Sequence, residues 1–364
     1  MGNRCNLKLV AGVMAVLMLV VSGCGSGSGS KDASSPGDSP QGVSKEKGKL
    51  VVTSFGGPIE EEQRKYIKKF EQEYNVKVDV VTLYSADALA RIRAEKNNQT
   101  IDVVLFSGGQ EQIAAKEDLI MKIDTAQVSH LNDLYPAALN TDGYAPTFGY
   151  EALGIIYNDQ KIKTAPTSWK DLWSSEYKGR VGLVDISNTY GNQFLVAAAK
   201  MNGGGEDNIQ PGLDVVKELL PNTAAIVKSS PEVGSLFVQE EAWIAPFDSG
   251  YAYTFGKQGV PIKFATPKEG AVGIYITAQV VKGSQNPELA QKYINFLLRP
   301  DIQVLTAEGG GYSPTNKKAN LPDKLKAVIP STEDHFNKLI KLNLGLINNN
   351  KSDWMERWSK VIAK

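Results

Sequence analysis

Three short apolar runs, at 50–53, 76–81 and 101–106, are separated by two stretches of helical periodicity. In the first stretch Pro58 suits a first helical position, and Ile59, Gln63, Tyr66, Ile67, Phe70 and Tyr74 recur on one face. In the second, Ala88, Leu89, Ile92 and Ala94 do the same. Strand, helix, strand at this spacing leaves room for a crossover, so the strands pair in parallel. A second set follows residues 154–158. Strands are expected at 182–184, 224–227, 243–247 and 262–265, with helices at 191–201, 231–240 and 251–256 between them. Asn286 and Pro287 open a helix with Leu289, Tyr293, Phe296 and Leu297 on one face, and helical pattern returns at 323–329, 334–342 and 352–362. No internal repeat is visible. A chain of 364 residues with this pattern is an α/β protein of two domains.

The N-terminus reads as an address. Arg4 and Lys8 precede an uncharged apolar run at 9–21, too short to span a membrane, which takes about 20 residues. Val21, Ser22, Gly23 and Cys24 resemble a bacterial lipoprotein signal, which implies a signal peptide at 1–23 and acyl chains on Cys24. Residues 24–48 hold that Cys and a tether rich in Gly, Ser and Pro, too poor in apolar groups to offset its ordering entropy. The expected location is the outer face of the cytoplasmic membrane, lipid-anchored, on the cell surface or in the periplasm.

Charge and rare residues narrow the function. Forty basic and forty acidic side chains cancel, so no global field attracts nucleic acid. Two Cys cannot build a disulfide scaffold, and two His cannot build a His-rich metal cage. His130 and His335 have polar neighbours and read as surface residues. The triple glycines at 203–205 and 309–311 lack a following phosphate-loop lysine and read as turns. No catalytic residue, metal or cofactor is expected.

In open α/β sheets ligands bind beyond the carboxyl ends of strands, beside helix N-termini. Ser54, Phe55 and Gly56 follow the first strand. Ser107, Gly108, Gly109 and Gln110 follow the third. Ser187, Asn188 and Thr189 follow the strand at 182–184. Each loop offers backbone N–H groups and hydroxyls to an anion; any one of them alone reads as a helix cap, and the three together point to a polar cleft. Asp248 directly follows an apolar strand and is read either as a partner for a ligand amine or as the N-cap of the helix holding Tyr251. Trp243 is read as a core residue inside the strand.

Several segments carry a family resemblance. They are Phe70-Glu71 leading to Val76-Lys77-Val78, Arg91-Ile92-Arg93 before Asp102-Val103, Tyr157-Asn158, and Pro166-Thr167-Ser168-Trp169. Tyr177-Lys178-Gly179-Arg180, Pro267-Lys268-Glu269-Gly270 and Pro314-Thr315-Asn316 continue the order. Together they resemble the substrate-binding lipoprotein of an ABC importer. The branch is the polyamine (spermidine/putrescine) type of the bacterial extracellular solute-binding family, with similarity to thiamine, ferric-iron and aminoethylphosphonate binders. The resemblance implies a two-lobed periplasmic-binding-protein fold, type II-like, with a hinge and an interlobe ligand cleft. The first lobe would be 49–152 plus 270–320 and the second 153–269, with C-terminal helices at 321–364 bracing the lobes from behind. It also implies a monomer that passes a small-molecule ligand to a permease and its ATPase subunits.

The ligand implied by the resemblance is a polyamine held by carboxylates and aromatic rings. By alignment, Ile274 and Ile276 here occupy the places of a family Trp and carboxylate, and the 186–189 loop replaces an acidic pair. Asp248 falls near a family Trp. A zwitterion or an anion suits these residues better than a triamine. Thiamine stays open through Phe55, Tyr251, Tyr275 and Asp248. Ferric iron would want adjacent tyrosines, whereas Tyr251 and Tyr253 are two apart. The alternatives to a receptor are a secreted two-lobed enzyme acting on extracytoplasmic metabolites and a structural lipoprotein.

Overall fold

The computed structural model describes residues 48–139, 143–326 and 328–363. The expected signal peptide, Cys24 and nearly all of the tether lie outside the described residues. In chain order the first elements are β1 (Lys49–Ser54), α1 (Gly57–Tyr74), β2 (Lys77–Thr82), α2 (Ser85–Ala94), β3 (Val103–Phe106), α3 (Gln110–Lys116) and β4 (Thr147–Asn158). Then come β5 (Val181–Val184), α4 (Thr189–Met201), α5 (Gln210–Leu219), β6 (Thr223–Val227), α6 (Ser230–Val238), β7 (Ile244–Asp248), α7 (Ser249–Lys257) and β8 (Ile262–Ala265). The chain closes with β9 (Val272–Val280), α8 (Pro287–Leu297), α9 (Pro300–Gly310), β10 (Ser313–Pro314), α10 (Asp323–Lys326), α11 (Glu333–Lys338) and α12 (Leu344–Ile362).

Ten strands form one sheet in the order β2-β1-β3-β9-β4-β7-β5-β6, with β8 and β10 also paired to β4. Its two ends are parallel: β1 pairs with β2 and β3, and β5 pairs with β6 and β7. Between them β9 runs antiparallel to both β3 and β4, and β4 runs antiparallel to β7. The sheet is therefore two parallel halves joined through the β4–β9 pair.

Each half buries its own aromatic cluster. In the first, Phe70 stacks on Tyr74 at 4.4 Å and meets the edges of Tyr293 at 5.0 Å and Phe296 at 5.2 Å. In the second, Trp169 packs against Phe194 at 5.7 Å, and Trp354 and Trp358 from α12 join the same cluster.

Some local readings change. The strand at 272–280 was not anticipated, and β4 begins seven residues before the apolar stretch at 154–158 that announced it. Trp243 lies just before β7, half-buried, with the Arg180 guanidinium 4.7 Å from its ring. His335 is also half-buried, stacked 5.9 Å from Tyr150, and burial lowers its pKa. Gly309 and Gly310 end α9 rather than forming a turn, and only Gly311, at φ 79°, leaves the helix. Ile274 and Ile276 are core residues of β9, 0% and 1% exposed.

Candidate ligand-binding site

The carboxyl ends of β1, β2, β3, β5, β6 and β7 face a common cavity of about 50 Å³. The first half of the sheet contributes Phe55 after β1, Tyr84 and Ser85 after β2, and Ser107 and Gln110 after β3. The second half contributes residues 187–190 after β5, Ser230 after β6 and Tyr251 after β7. The halves approach closely here, since a Cβ built on Gly108 would lie 2.9 Å from Thr189 Oγ1.

Helices α2, α4 and α6 each begin on a lining residue, Ser85, Thr189 and Ser230. The N-terminal ends of these helix dipoles give that wall a positive character. Ser85 Oγ accepts from the Ser107 N–H at 3.1 Å and faces Ser107 Oγ at 3.3 Å, which fixes two hydroxyls side by side. Asn188 caps α4 by accepting from the Tyr190 N–H at 3.0 Å. Behind it, Asp185 accepts from the Ser187 N–H at 2.9 Å and from Trp358 Nε1 at 2.9 Å. Among the described residues the cavity wall contains no carboxylate and one cation, Lys351. Two buried polar atoms on that wall, Gln110 Oε1 and Tyr251 Oη, have no hydrogen-bond partner.

The residues singled out in the sequence separate into layers. Phe55, Ser107, Ser187, Asn188, Thr189 and Tyr251 line the cavity. Ser54, fully buried, and Gly56, at φ 78°, form the turn that presents Phe55. Gly108 and Gly109 form the loop floor and meet α12. Asp248 does not reach the wall. It is 0% exposed and caps α7 through the Tyr251 N–H at 2.9 Å. Its other oxygen faces Glu151 of β4, and neither Asp248 Oδ2 nor Glu151 Oε1 has a donor. Burial pushes both carboxyls up, Asp248 to about 6 and Glu151 well above the usual range, where the neighbouring Asp248 charge adds to the effect. Such a pair holds a shared proton. Tyr190, itself on the wall, donates to Glu151 Oε2 at 3.3 Å. Tyr275 lies elsewhere, packed on Phe336 at 5.2 Å.

Tyr84, Ser85, Tyr190, Ser230 and Lys351 were not singled out in the sequence. Ser85 and Ser230 follow the rule that selected Ser54, Ser107 and Ser187: each is a hydroxyl residue where a strand gives way to a helix. Lys351 carries no such mark. It sits inside α12, the last of the C-terminal helices, and reaches the cavity wall from there.

A family profile described as bacterial extracellular solute-binding protein matches residues 65–330. The chain belongs to this family. This solute-binding protein is similar to the spermidine/putrescine-binding periplasmic protein of Escherichia coli, 29% identical over 264 residues, covering 70% of this chain and 74% of that one. It is 26% identical over 305 residues to the thiamine-binding periplasmic protein of the same organism, covering 82% and 88%. The crystal structure of a spermidine/putrescine ABC transporter substrate-binding protein from Streptococcus pneumoniae matches with a TM-score of 0.71 at 23% identity, over 86% of this chain and 97% of that one. The two-lobed fold and the cleft between sheet halves are those of a solute-binding protein. Its role is that of an extracytoplasmic solute-binding receptor.

Proposed function

We propose that the receptor captures a small solute bearing a phosphate, phosphonate or carboxylate group, together with at least one hydrogen-bond donor. The observation that carries this is the charge of the cavity wall. Three helix N-termini, a pair of hydroxyls and the Lys351 ammonium meet there, with no carboxylate among the described lining residues. An anion gains from each of these. The helix N-termini and Lys351 disfavour a polyamine, Asp185 behind the wall is already held by Trp358 and Ser187, and Asp248 and Glu151 share a proton one layer behind Tyr190 and Tyr251. The unpartnered Gln110 Oε1 and Tyr251 Oη give a donor on the solute, a hydroxyl or an ammonium, somewhere to bind. About 50 Å³ holds only a few water-sized groups, so solute enters when the lobes part and is enclosed when they close. We further propose that the receptor acts as a monomer anchored through Cys24, within reach of the importer's permease and ATPase subunits, and that it performs no chemistry on its cargo.

A thermal-shift panel of inorganic phosphate, 2-aminoethylphosphonate, γ-aminobutyrate, thiamine, putrescine and spermidine tests the ligand class. A ligand at a hundred times its dissociation constant adds about 2.7 kcal/mol of stability. A rise in Tm with an anion or zwitterion is expected. A rise with spermidine or putrescine alone would overturn the proposal.

A further inference from the structure

Helix α12 begins beyond the residues matched by the family profile, which end at 330. It nevertheless touches both walls of the cleft, and its two sets of contacts differ in strength. Towards the second half, Trp358 Nε1 donates to the buried Asp185 carboxylate, and the Asn343 N–H donates to Glu206 Oε1 at 2.9 Å. Asn350 Nδ2 reaches the Glu206 carbonyl at 3.3 Å, and Ile347, Trp354 and Trp358 are buried in that half's core. Towards the first half there is much less. Asn348 Nδ2 donates to the Gly108 carbonyl at 3.1 Å, and Leu344 lies against Gly109. Gly109 is at φ 83°, and a Cβ there would stand 2.3 Å from Leu344 Cβ, so the loop accepts the helix only as glycine.

Between these contacts the helix carries Lys351 onto the cavity wall. Its ammonium donates to the Ser187 carbonyl at 2.8 Å, and burial lowers its pKa against the pull of Asp185 and Asp87. A half-buried ammonium whose hydrogen bond goes to a neutral carbonyl carries a desolvation cost. An anion beside it would offset that cost.

We propose that α12 is a latch: it moves with the second lobe, closes onto the 108–109 loop of the first through Asn348 and Leu344, and brings Lys351 onto the captured anion. The role of Lys351 rests on the anionic-solute reading above; the latch geometry does not. Separating the lobes would break the Asn348 and Leu344 contacts and leave the Trp358 anchor whole.

The test uses spin labels at Lys116→Cys and Lys217→Cys, on exposed positions of α3 and α5, with binding measured by calorimetry. Asn348→Ala is expected to lengthen and broaden the interlobe distance without added solute. Lys351→Met is expected to weaken phosphate or 2-aminoethylphosphonate at least tenfold, the loss expected for a charged hydrogen bond, and Lys351→Arg to restore most of it. Unchanged distances in Asn348→Ala, or wild-type anion affinity in Lys351→Met, overturn the latch as stated. If the unmodified protein binds no anion, the anionic-solute reading falls and the Lys351 role with it, while the distance measurement alone still decides whether α12 latches the lobes.

Discussion

Trp358→Ala lowers the stability of the protein by about 3–5 kcal/mol, the range for removing a buried large aromatic side chain. Trp358 is 3% exposed near the end of α12, and its Nε1 is a donor to the Asp185 carboxylate, itself 7% exposed. The substitution opens a cavity and removes a hydrogen-bond partner from the buried Asp185 carboxylate, and that range covers both effects. Trp358→Phe separates them: it keeps most of the ring and loses the charged hydrogen bond, about 1.5–3 kcal/mol. Urea denaturation of the two variants reads both figures. A loss below about 1 kcal/mol in Trp358→Ala would mean that α12 is not docked as described. Asp185 also holds the Ser187 N–H, so Trp358→Ala disturbs the second-lobe loop of the cleft as well as the fold.

Glu151→Gln stabilises the protein at pH 8 and flattens its dependence on pH. In the folded chain Asp248 and Glu151 hold protons more tightly than they do unfolded, Asp248 up to about 6 from 3.8. Folding therefore takes up protons above pH 4. The stability due to these groups is full below their unfolded values and is lost as pH rises through the folded ones. For Asp248 the shift corresponds to on the order of 3 kcal/mol. A glutamine at 151 can donate its amide N–H to Asp248 Oδ2 and still accept from Tyr190, so no proton need be shared. Urea denaturation at pH 5 and pH 8 is expected to show the unmodified protein losing more than about 1 kcal/mol across that interval, since part of the Asp248 term is already lost below pH 5 and Glu151 adds to the rest, and the variant losing clearly less. Parallel pH profiles for the two proteins would show that the pair does not titrate.

The legibility of this chain followed the reach of its interactions. Strands β1, β2 and β3 were plain because a local alternation of apolar runs and amphipathic helices encodes them. Strand β9 was not, because Val272–Val280 is buried on both faces between β3 and β4 and shows no alternation. The loops at 54–56, 107–109 and 187–189 could be chosen because strand ends and helix starts are adjacent in sequence. Asp248 was placed at the correct strand end. Its distance from the cavity depended on Glu151, which pairs with β9 across the register and carries no local mark. Lys351 was invisible for the same reason, since it meets Ser187 164 positions away.

The order of the strands also bears on how the protein comes into being. The second half of the sheet, β5, β6 and β7, is contiguous in the chain. The first half is split: β3 is paired by β9, and Phe70 packs on Tyr293 and Phe296. In a chain made from its N-terminus and threaded across a membrane, the first-made strands have no partners for that edge until the whole second lobe has emerged. The edge of β3 and the ring of Phe70 stay uncovered for that interval, an exposed strand and an exposed aromatic of the kind that draws chains together. The long wait for late contacts makes the first lobe, although made first, the last to be completed.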